Sequence, residues 1–318
     1  MKEFLYVCPG NEKKTIPFSN VFMRKLVSIF NVLSNKKIVT KQEPAKLFND
    51  MNMQMKEYNL KNKYWLWPRF LEKLSSKKIK NPEKIESIKR ILRYYEEKEL
   101  MPEKPANWYT NPKTWLSNYD IEKIMNKYSN NKMFKYKFIG VFPIDFAVAS
   151  DDGVCLYSEF CKINIRQLMK EKISFVGLIT NLDKHNEPGS HWTSTFLCIN
   201  PKLKTYGGYY YDSVGNNIPS YLMTFINNVK LQCNEINPKT NFVIHTNHKQ
   251  QQYKNTECGV FSMLFQIRWL NKHIVKKNNT SFKEILSNPC INDDNMLKLR
   301  DYLFRPNSNI ELKNIIKD

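Results

Sequence analysis

The sequence lacks a CxxC pair, a long apolar run and an excess of acidic residues. Its seven cysteines are an odd number and lie singly along 318 residues, so neither a disulfide framework nor a zinc site is indicated. Such cysteines fit a reducing compartment better than a secretory one. Because no run of about 18 apolar residues occurs, we expect no membrane span. The opening residues do not predict a signal peptide.

Basic residues greatly outnumber acidic ones. The chain has 50 Lys and Arg against 30 Asp and Glu, a net charge of +20, and residues 1–104 contribute 23 and 12, or +11. A basic surface favours acidic partners such as nucleic acid or anionic protein. A lysine-rich solvated surface explains the same charge equally well, so both interpretations stay open at this point.

The first hundred residues have the spacing of helices. Apolar side chains recur at helical intervals at Phe22, Leu26, Ile29 and Leu33. The pair Asn81-Pro82 then predicts the start of a second helix, which continues through four apolar positions. These positions are Ile85, Ile88, Ile91 and Leu92. Prolines at 102, 105 and 112 end the pattern, and we predict a basic helical domain over 1–104 and a second domain over 105–318.

The second domain mixes strands and helices. Alternating or continuous apolar segments predict strands over Lys135–Pro143, Ile173–Thr180, Thr193–Ile199, Tyr209–Asp212 and Asn241–His245. Helical spacing predicts helices over Trp115–Tyr128, Pro219–Leu231, Gly259–Leu270 and Asn292–Leu303. The 42% hydrophobic content is enough for a real core. We therefore predict an α+β fold.

Cys258 is the strongest candidate for a nucleophile. It lies at the start of a predicted helix, capped by Asn255 or Thr256, where unpaired N–H groups favour a thiolate. Gly259 follows it, and the missing Cβ would let a substrate backbone pass close by. Taken alone, Cys258 fits an ordinary buried cysteine just as well.

Three further residues complete a plausible catalytic set. His191 follows a Pro-Gly turn at the start of a strand, where a base can accept a proton from a thiol. Asp212 ends the strand Tyr209–Asp212, and its carboxylate can orient an imidazole. Gln252 lies six residues before Cys258 and can donate to an oxyanion, although Gln250 and Gln251 stand beside it. Each of these residues also has an ordinary structural explanation, as a core histidine, a turn aspartate and a solvated amide.

Taken in order, His191-Trp192, Tyr211-Asp212-Ser213 and Gln252-x5-Cys258-Gly259 resemble the ubiquitin-like-protein-specific cysteine proteases, a family that includes SUMO proteases and adenain. Trp115-Leu116-Ser117 resembles the entry motif of that family. Thr256-Glu257 before the cysteine, and Asp293 and Arg300 near the end, are similar to polyprotein-processing proteases of large cytoplasmic DNA viruses such as African swine fever virus. The resemblance covers about residues 112–305.

The resemblance implies a papain-like or adenain-like protease core with a helical N-terminal extension. By position, it implies Cys258 as nucleophile, His191 as general base, Asp212 as orienting acid and Gln252 as oxyanion donor. Trp115, Trp192 and Gly259 would contact substrate, the two indoles flanking a slot that admits only glycine. Neither a metal nor a cofactor is required.

Three functions remain open on the sequence. The first is a thiol endopeptidase that cleaves viral polyproteins at Gly-Gly-X sites during virion maturation, located in the host cytoplasm and the virion. The second is an isopeptidase that removes ubiquitin-like proteins with a Gly-Gly motif from host conjugates. The third is a basic binding protein whose protease domain is inactive. The basic N-terminal region is expected to bind nucleic acid or an acidic virion component.

Overall fold

The computed structural model describes residues 8–9, 16–148, 156–157, 163–276, 281–287 and 289–315. The chain divides into two compact units. The first comprises Met1–Pro112 together with Asp301–Asp318, and the second comprises Lys113–Arg300. Each unit is considered by itself below. Among the described residues, no helix is both long enough and apolar enough to cross a membrane.

The first unit is helical. Its helices are α1 (Asn20–Ser34), α2 (Pro44–Gln54), α3 (Trp67–Lys78) and α4 (Pro82–Glu99). Side chains before two of them satisfy unpaired backbone N–H groups, since Ser19 accepts from the N–H of Phe22 and Asn81 from that of Lys84. Proline begins α4, as predicted from the pair Asn81-Pro82.

The core of the first unit contains the apolar residues whose spacing predicted the first helix. Phe22, Leu26, Ile29 and Leu33 are all buried on one face of α1. They pack in one apolar cluster with residues of α2, α3 and α4, including Leu47, Trp67 and Leu92. The prediction of an amphipathic helix at this position is therefore confirmed.

The C-terminal residues return to the first unit, and Arg305 holds them there. Its guanidinium lies 2.8 Å from the Glu96 carboxylate and 3.0 Å from that of Glu103, and it also donates to the carbonyl of Met101. A final helix, α11 (Ser308–Ile315), buries Leu312 in the same core. The division into units therefore differs from the single boundary predicted after residue 104, because the first unit also includes Asp301–Asp318. The sequence pattern gives no sign of this return of the chain.

The second unit is built on a five-stranded mixed sheet. The strands are β1 (Tyr136–Pro143), β2 (Phe175–Asn181), β3 (Trp192–Cys198), β4 (Gly207–Tyr211) and β5 (Val243–Thr246). Their order in the sheet is the order in the chain. β3 pairs antiparallel with β2 and β4, whereas the outer pairs β1/β2 and β4/β5 are parallel. All five predicted strands are present, with ends shifted by one or two residues.

Helices surround this sheet. They are α5 (Asn118–Ser129), α6 (Ile165–Lys170), α7 (Ser220–Ile236), α8 (Cys258–Lys276), α9 (Phe282–Leu286) and α10 (Asp293–Leu303), of which the last three residues belong to the first unit. Ser117 caps α5 through a capping box with Asp120. α7 runs five residues beyond its prediction because Cys233 continues its buried face.

The sheet lies between α7 and α8. Side chains of successive strand residues point to opposite faces of the sheet. Phe196 and Leu197, which are neighbours in β3, therefore contact different helices. Leu197 packs in the apolar cluster that includes Phe225 of α7, whereas the Phe196 ring stacks on Trp269 of α8 at 5.5 Å. Because α8 is pinned to this face, its first residue, Cys258, has a fixed position relative to the strands.

Candidate active site

Sheet pairing brings His191 and Asp212 together. His191 directly precedes β3 and Asp212 directly follows β4, and the antiparallel register matches Ser194 with Tyr211. The start of β3 and the end of β4 therefore meet at one edge of the sheet. His191 Nε2 lies 2.7 Å from Asp212 Oδ1. The pairing expected from the sequence order is thus present in the structure.

Asp212 is held rigidly. It is fully buried, and its Oδ1 also accepts a hydrogen bond from the backbone N–H of Val214 at 2.9 Å. The side chain of Asn247 forms two hydrogen bonds with the backbone of Asp212. Asn247 Oδ1 accepts from the Asp212 N–H, and Asn247 Nδ2 donates to the Asp212 carbonyl, both at 2.8 Å. The carboxylate therefore has little freedom to turn away from the imidazole.

His191 joins the carboxylate to the sulfur. Its side chain is hydrogen-bonded to Asp212, and Cys258 lies near enough to raise the pKa of the ring. Because Nε2 is engaged by Asp212, Nδ1 is the nitrogen left for the sulfur. Burial lowers the pKa of His191, but the hydrogen bonds and negative charges of Asp212 and Cys258 outweigh burial and raise that pKa to about 9. The imidazole is therefore cationic at neutral pH.

Cys258 is buried, with 3% of its surface exposed, and it is the first residue of α8. The residue directly before the helix is Glu257, whose carbonyl accepts from the N–H groups of Val260 and Phe261. The predicted cap at Asn255 or Thr256 is therefore displaced by one residue or more. The position of the sulfur at a helix N-terminus is as predicted.

The three neighbouring glutamines have different surroundings. Gln251 points into the protein, where it donates to the carbonyl of Leu286 and accepts from the Tyr211 hydroxyl. Gln250 is exposed. Gln252 is buried, and both Gln250 and Gln252 border the same cleft as His191. The spacing from Cys258 does not distinguish among the three, but Gln251 points away from the cleft, and the buried side chain of Gln252 is held at both ends by hydrogen bonds, which favours Gln252 as the donor.

The cleft has a volume of about 360 Å³. Its lining includes Trp115, Ser190, His191, Val214, Gln252 and Tyr253. Two of these residues are exposed aromatic side chains, with 44% of Trp115 and 76% of Tyr253 accessible. Trp115 therefore faces the cleft, as expected for a residue that contacts substrate.

Trp192 and Gly259 pack behind this cleft lining. The indole N–H of Trp192 donates to the carbonyl of Leu116 at 3.0 Å. A Cβ on Gly259 would lie 3.1 Å from a methyl of Leu116 and 3.3 Å from the Trp192 ring. The predicted direct contact between Gly259 and substrate is corrected, since Gly259 is buried and its missing Cβ makes room for the protein itself. Trp192 is half-buried and fixes the segment that carries Trp115.

Helix α10 braces the loop that leads to Cys258. The carboxylate of Asp293 accepts from the backbone N–H groups of Tyr253 and Lys254 at 2.9 and 3.2 Å. Seven residues later, Arg300 forms a buried ion pair of 2.8 Å with Glu257. One helix thus holds both ends of residues 253–257. Reasoning from the sequence identified neither contact, because each joins residues about 40 positions apart.

Among the described residues, no group of three His, Cys, Asp or Glu side chains could hold a metal ion. The chemistry that the cluster itself can perform is proton transfer and nucleophilic attack. A sulfur, an imidazole and a carboxylate grouped in this order are the set that a cysteine hydrolase uses.

No protein-family model matches the chain. It is 37% identical over 185 residues to a putative thiol protease of Acanthamoeba polyphaga mimivirus. That match covers 56% of this chain and 55% of the mimivirus protein, so the chain matches about half of that relative's length. A cysteine protease of African swine fever virus is 25% identical over 203 residues, which cover 60% of this chain and 67% of that protein. The same viral protein from another isolate is named a SUMO-1 cysteine protease, with the same identity and coverage.

The fold is shared with a crystal structure of the African swine fever virus protease. The two superpose with a TM-score of 0.56 over 95% of this chain and 96% of that chain, at 17% identity. The predicted α+β fold is therefore confirmed. The resemblance to viral thiol proteases that the sequence motifs indicated is confirmed by the named relatives.

Proposed function

We propose that the chain is a cysteine endopeptidase with Cys258 as nucleophile. The observation that carries this proposal is the 2.7 Å hydrogen bond between Asp212 and His191, with Cys258 near enough to raise the pKa of His191 and an open cleft beside the imidazole. The names of the viral relatives support the same reaction class. A chance grouping of three residues drawn from separate strands and a helix would not be expected to place them in this chemical order.

The reaction begins with a thiolate. A cationic His191 stabilises negative charge on the neighbouring sulfur, which attacks the scissile carbonyl carbon and pushes the π electrons onto oxygen. His191 then gives its proton to the leaving amine as the C–N bond breaks, and a thioester remains on Cys258. Water, deprotonated by His191, attacks this thioester and releases the second product with the thiol restored.

Two groups stabilise the tetrahedral oxyanion in this scheme. They are the backbone N–H of Cys258 and the side-chain amide of Gln252, which borders the cleft beside His191. Asp212 does not transfer a proton. It fixes the ring orientation of His191 and offsets the imidazolium charge through the 2.7 Å hydrogen bond.

The proposed substrates are viral polyproteins cut at Gly-Gly-X sites during virion maturation. Trp115 and Tyr253 give the cleft aromatic walls, and such walls favour residues without a Cβ over bulkier ones. A location in the host cytoplasm and the virion is part of this proposal. Hydrolysis of Gly-Gly-X peptides by the wild-type chain, absent in Cys258→Ala, tests this directly.

An isopeptidase acting on ubiquitin-like proteins is the second candidate, favoured by the name SUMO-1 cysteine protease of one relative. One assay distinguishes the two candidate functions. It compares hydrolysis of Gly-Gly-X peptides with hydrolysis of a fluorogenic conjugate of a SUMO or ubiquitin C-terminus. Greater kcat/KM on the conjugate would support the isopeptidase, and greater kcat/KM on the peptides the endopeptidase.

The basic N-terminal region is proposed to bind nucleic acid or an acidic virion component. The support is the net charge of +11 over residues 1–104. Such binding weakens steeply with salt as counterions are released. A titration with duplex DNA at low ionic strength that shows no affinity would exclude nucleic acid as this partner.

A further inference from the structure

Ser213 contacts Gln252 through both its backbone and its side chain. Its carbonyl accepts from the Gln252 N–H at 3.0 Å, and its hydroxyl donates to Gln252 Oε1 at 2.5 Å. Ser213 is completely buried, so the hydroxyl does not exchange this partner for bulk water.

Two hydrogen bonds fix the orientation of the Gln252 side-chain amide, that is, which partner its oxygen faces and which its NH₂ group faces. The carbonyl of Lys254 can only accept, and it receives a hydrogen bond from Gln252 Nε2. The Ser213 hydroxyl donates to the opposite end, Oε1. If the amide turned over, Oε1 would face the Lys254 carbonyl, and two acceptors would repel each other. The NH₂ end is therefore fixed, and its second hydrogen remains for a ligand.

The direction of that amide matters for the proposed chemistry. A developing oxyanion needs a donor, and an amide presenting its oxygen would repel it. Ser213 also follows Asp212 directly, and the N–H of the next residue, Val214, donates to the Asp212 carboxylate. One short turn, 212–214, thus holds both the acid that orients His191 and the residue that orients Gln252.

We propose that Ser213 is a positioning residue that holds the Gln252 amide with its N–H toward the oxyanion. The proposal rests on the cysteine protease function given above. Ser213 does not touch the reacting atoms and acts through Gln252 alone. It therefore contributes to the transition state, where the negative charge develops, and contributes little to the binding of substrate in the ground state.

The test compares Ser213→Ala, Gln252→Ala and the double variant in steady-state peptide hydrolysis. Gln252→Ala is expected to lower kcat by about 100- to 1000-fold, as for other single oxyanion donors. Ser213→Ala is expected to lower kcat by about tenfold with little change in KM, the rate equivalent of one hydrogen bond. In the Gln252→Ala background the same change should alter kcat less than about twofold, because its target is gone.

Alkylation of Cys258 by iodoacetamide separates this role from an indirect effect on Asp212. Displacement of iodide forms no oxyanion, so Ser213→Ala and Gln252→Ala should alkylate at the wild-type rate. A disturbed Asp212 would slow alkylation together with hydrolysis. Ser194→Ala is the matched control, since Ser194 is equally buried and its hydroxyl accepts from Gln266 instead. It should keep the wild-type kcat.

The outcomes separate the two proposals. If wild-type protein hydrolyses no substrate, the protease function fails. If it does, the role of Ser213 is overturned by an unchanged kcat in Ser213→Ala, by equal losses in the single and double backgrounds, or by slowed alkylation. Ser213→Thr restores a hydroxyl, so recovery of kcat in this variant supports the proposal even if the alanine variant is less stable in a thermal melt.

Discussion

His191 Nε2 and Asp212 Oδ1 lie 2.7 Å apart although 21 residues separate them in the chain. The antiparallel pairing of β3 and β4 creates this proximity, because one residue precedes its strand and the other follows its partner. The carboxylate is fully buried and its backbone is gripped by Asn247. The pairing of β3 and β4 therefore fixes the orientation of the imidazole.

The two residues should not be equally important for turnover. We expect His191→Ala to lower kcat/KM more than Asp212→Asn, because an asparagine can still accept from the ring N–H while losing only the charge that stabilises the imidazolium. Peptide hydrolysis by the two purified variants measures the order. A reversed order would mean that Asp212 is wrongly assigned as the third member.

The stability of the protein should depend on pH through His191. Its folded pKa of about 9 is above the ordinary 6.5, so the folded state binds the proton more tightly than the unfolded state. This contribution to the free energy of unfolding is complete below about pH 6.5 and is lost as the pH rises through about 9. Urea unfolding at a series of pH values measures it.

Asp212→Asn serves as the control for that pH dependence. The amide removes a negative charge that raises the pKa of His191, so the decline in stability should still begin near pH 6.5 but should be smaller and end at a lower pH. An identical pH profile in wild type and Asp212→Asn would show that the ion pair does not control the titration of His191.

The buried pair of Arg300 and Glu257 should be a large stability determinant. Removing one partner leaves a buried charge uncompensated, and Arg300→Met is expected to cost about 3–5 kcal/mol of unfolding free energy. Replacing both partners by methionine should recover much of that loss. Alanine at either member of the exposed Lys254–Asp294 pair is the control and should change stability little, because water screens that pair. Urea unfolding of all four variants measures these changes in the free energy of unfolding. A small effect of Arg300→Met would refute the claim that the Arg300–Glu257 pair is a large stability determinant.

The sequence was sufficient for features that depend on local pattern. The five strands and the helices at Asn20–Ser34, Pro82–Glu99 and Asn118–Ser129 follow from apolar spacing and capping residues. Cys258, His191 and Asp212 could be selected because each stands at the end of a predictable element. Their combination is chemically distinctive even where each residue alone has an ordinary explanation.

Other features depend on contacts that leave no local trace. Arg300 reaches back to Glu257, and Arg305 returns the chain end to Glu96, but a single sequence does not show which carboxylate an arginine will meet. Three consecutive glutamines are equally good donors by composition, and only the tertiary surroundings distinguish Gln252. Gly259 was assigned to substrate because its missing Cβ was interpreted as open space, which Leu116 and Trp192 in fact occupy.

The central claim is that His191 activates the Cys258 sulfur, and selective alkylation tests it most directly. Cys258 is buried and Cys290 is exposed, so accessibility alone predicts that iodoacetamide modifies Cys290 first. The account predicts the reverse at neutral pH in peptide mass mapping, with Cys258 modified faster than Cys290 and Cys8, and with this advantage lost in His191→Ala. Modification of Cys258 no faster than Cys290 in the folded wild-type protein would contradict the account.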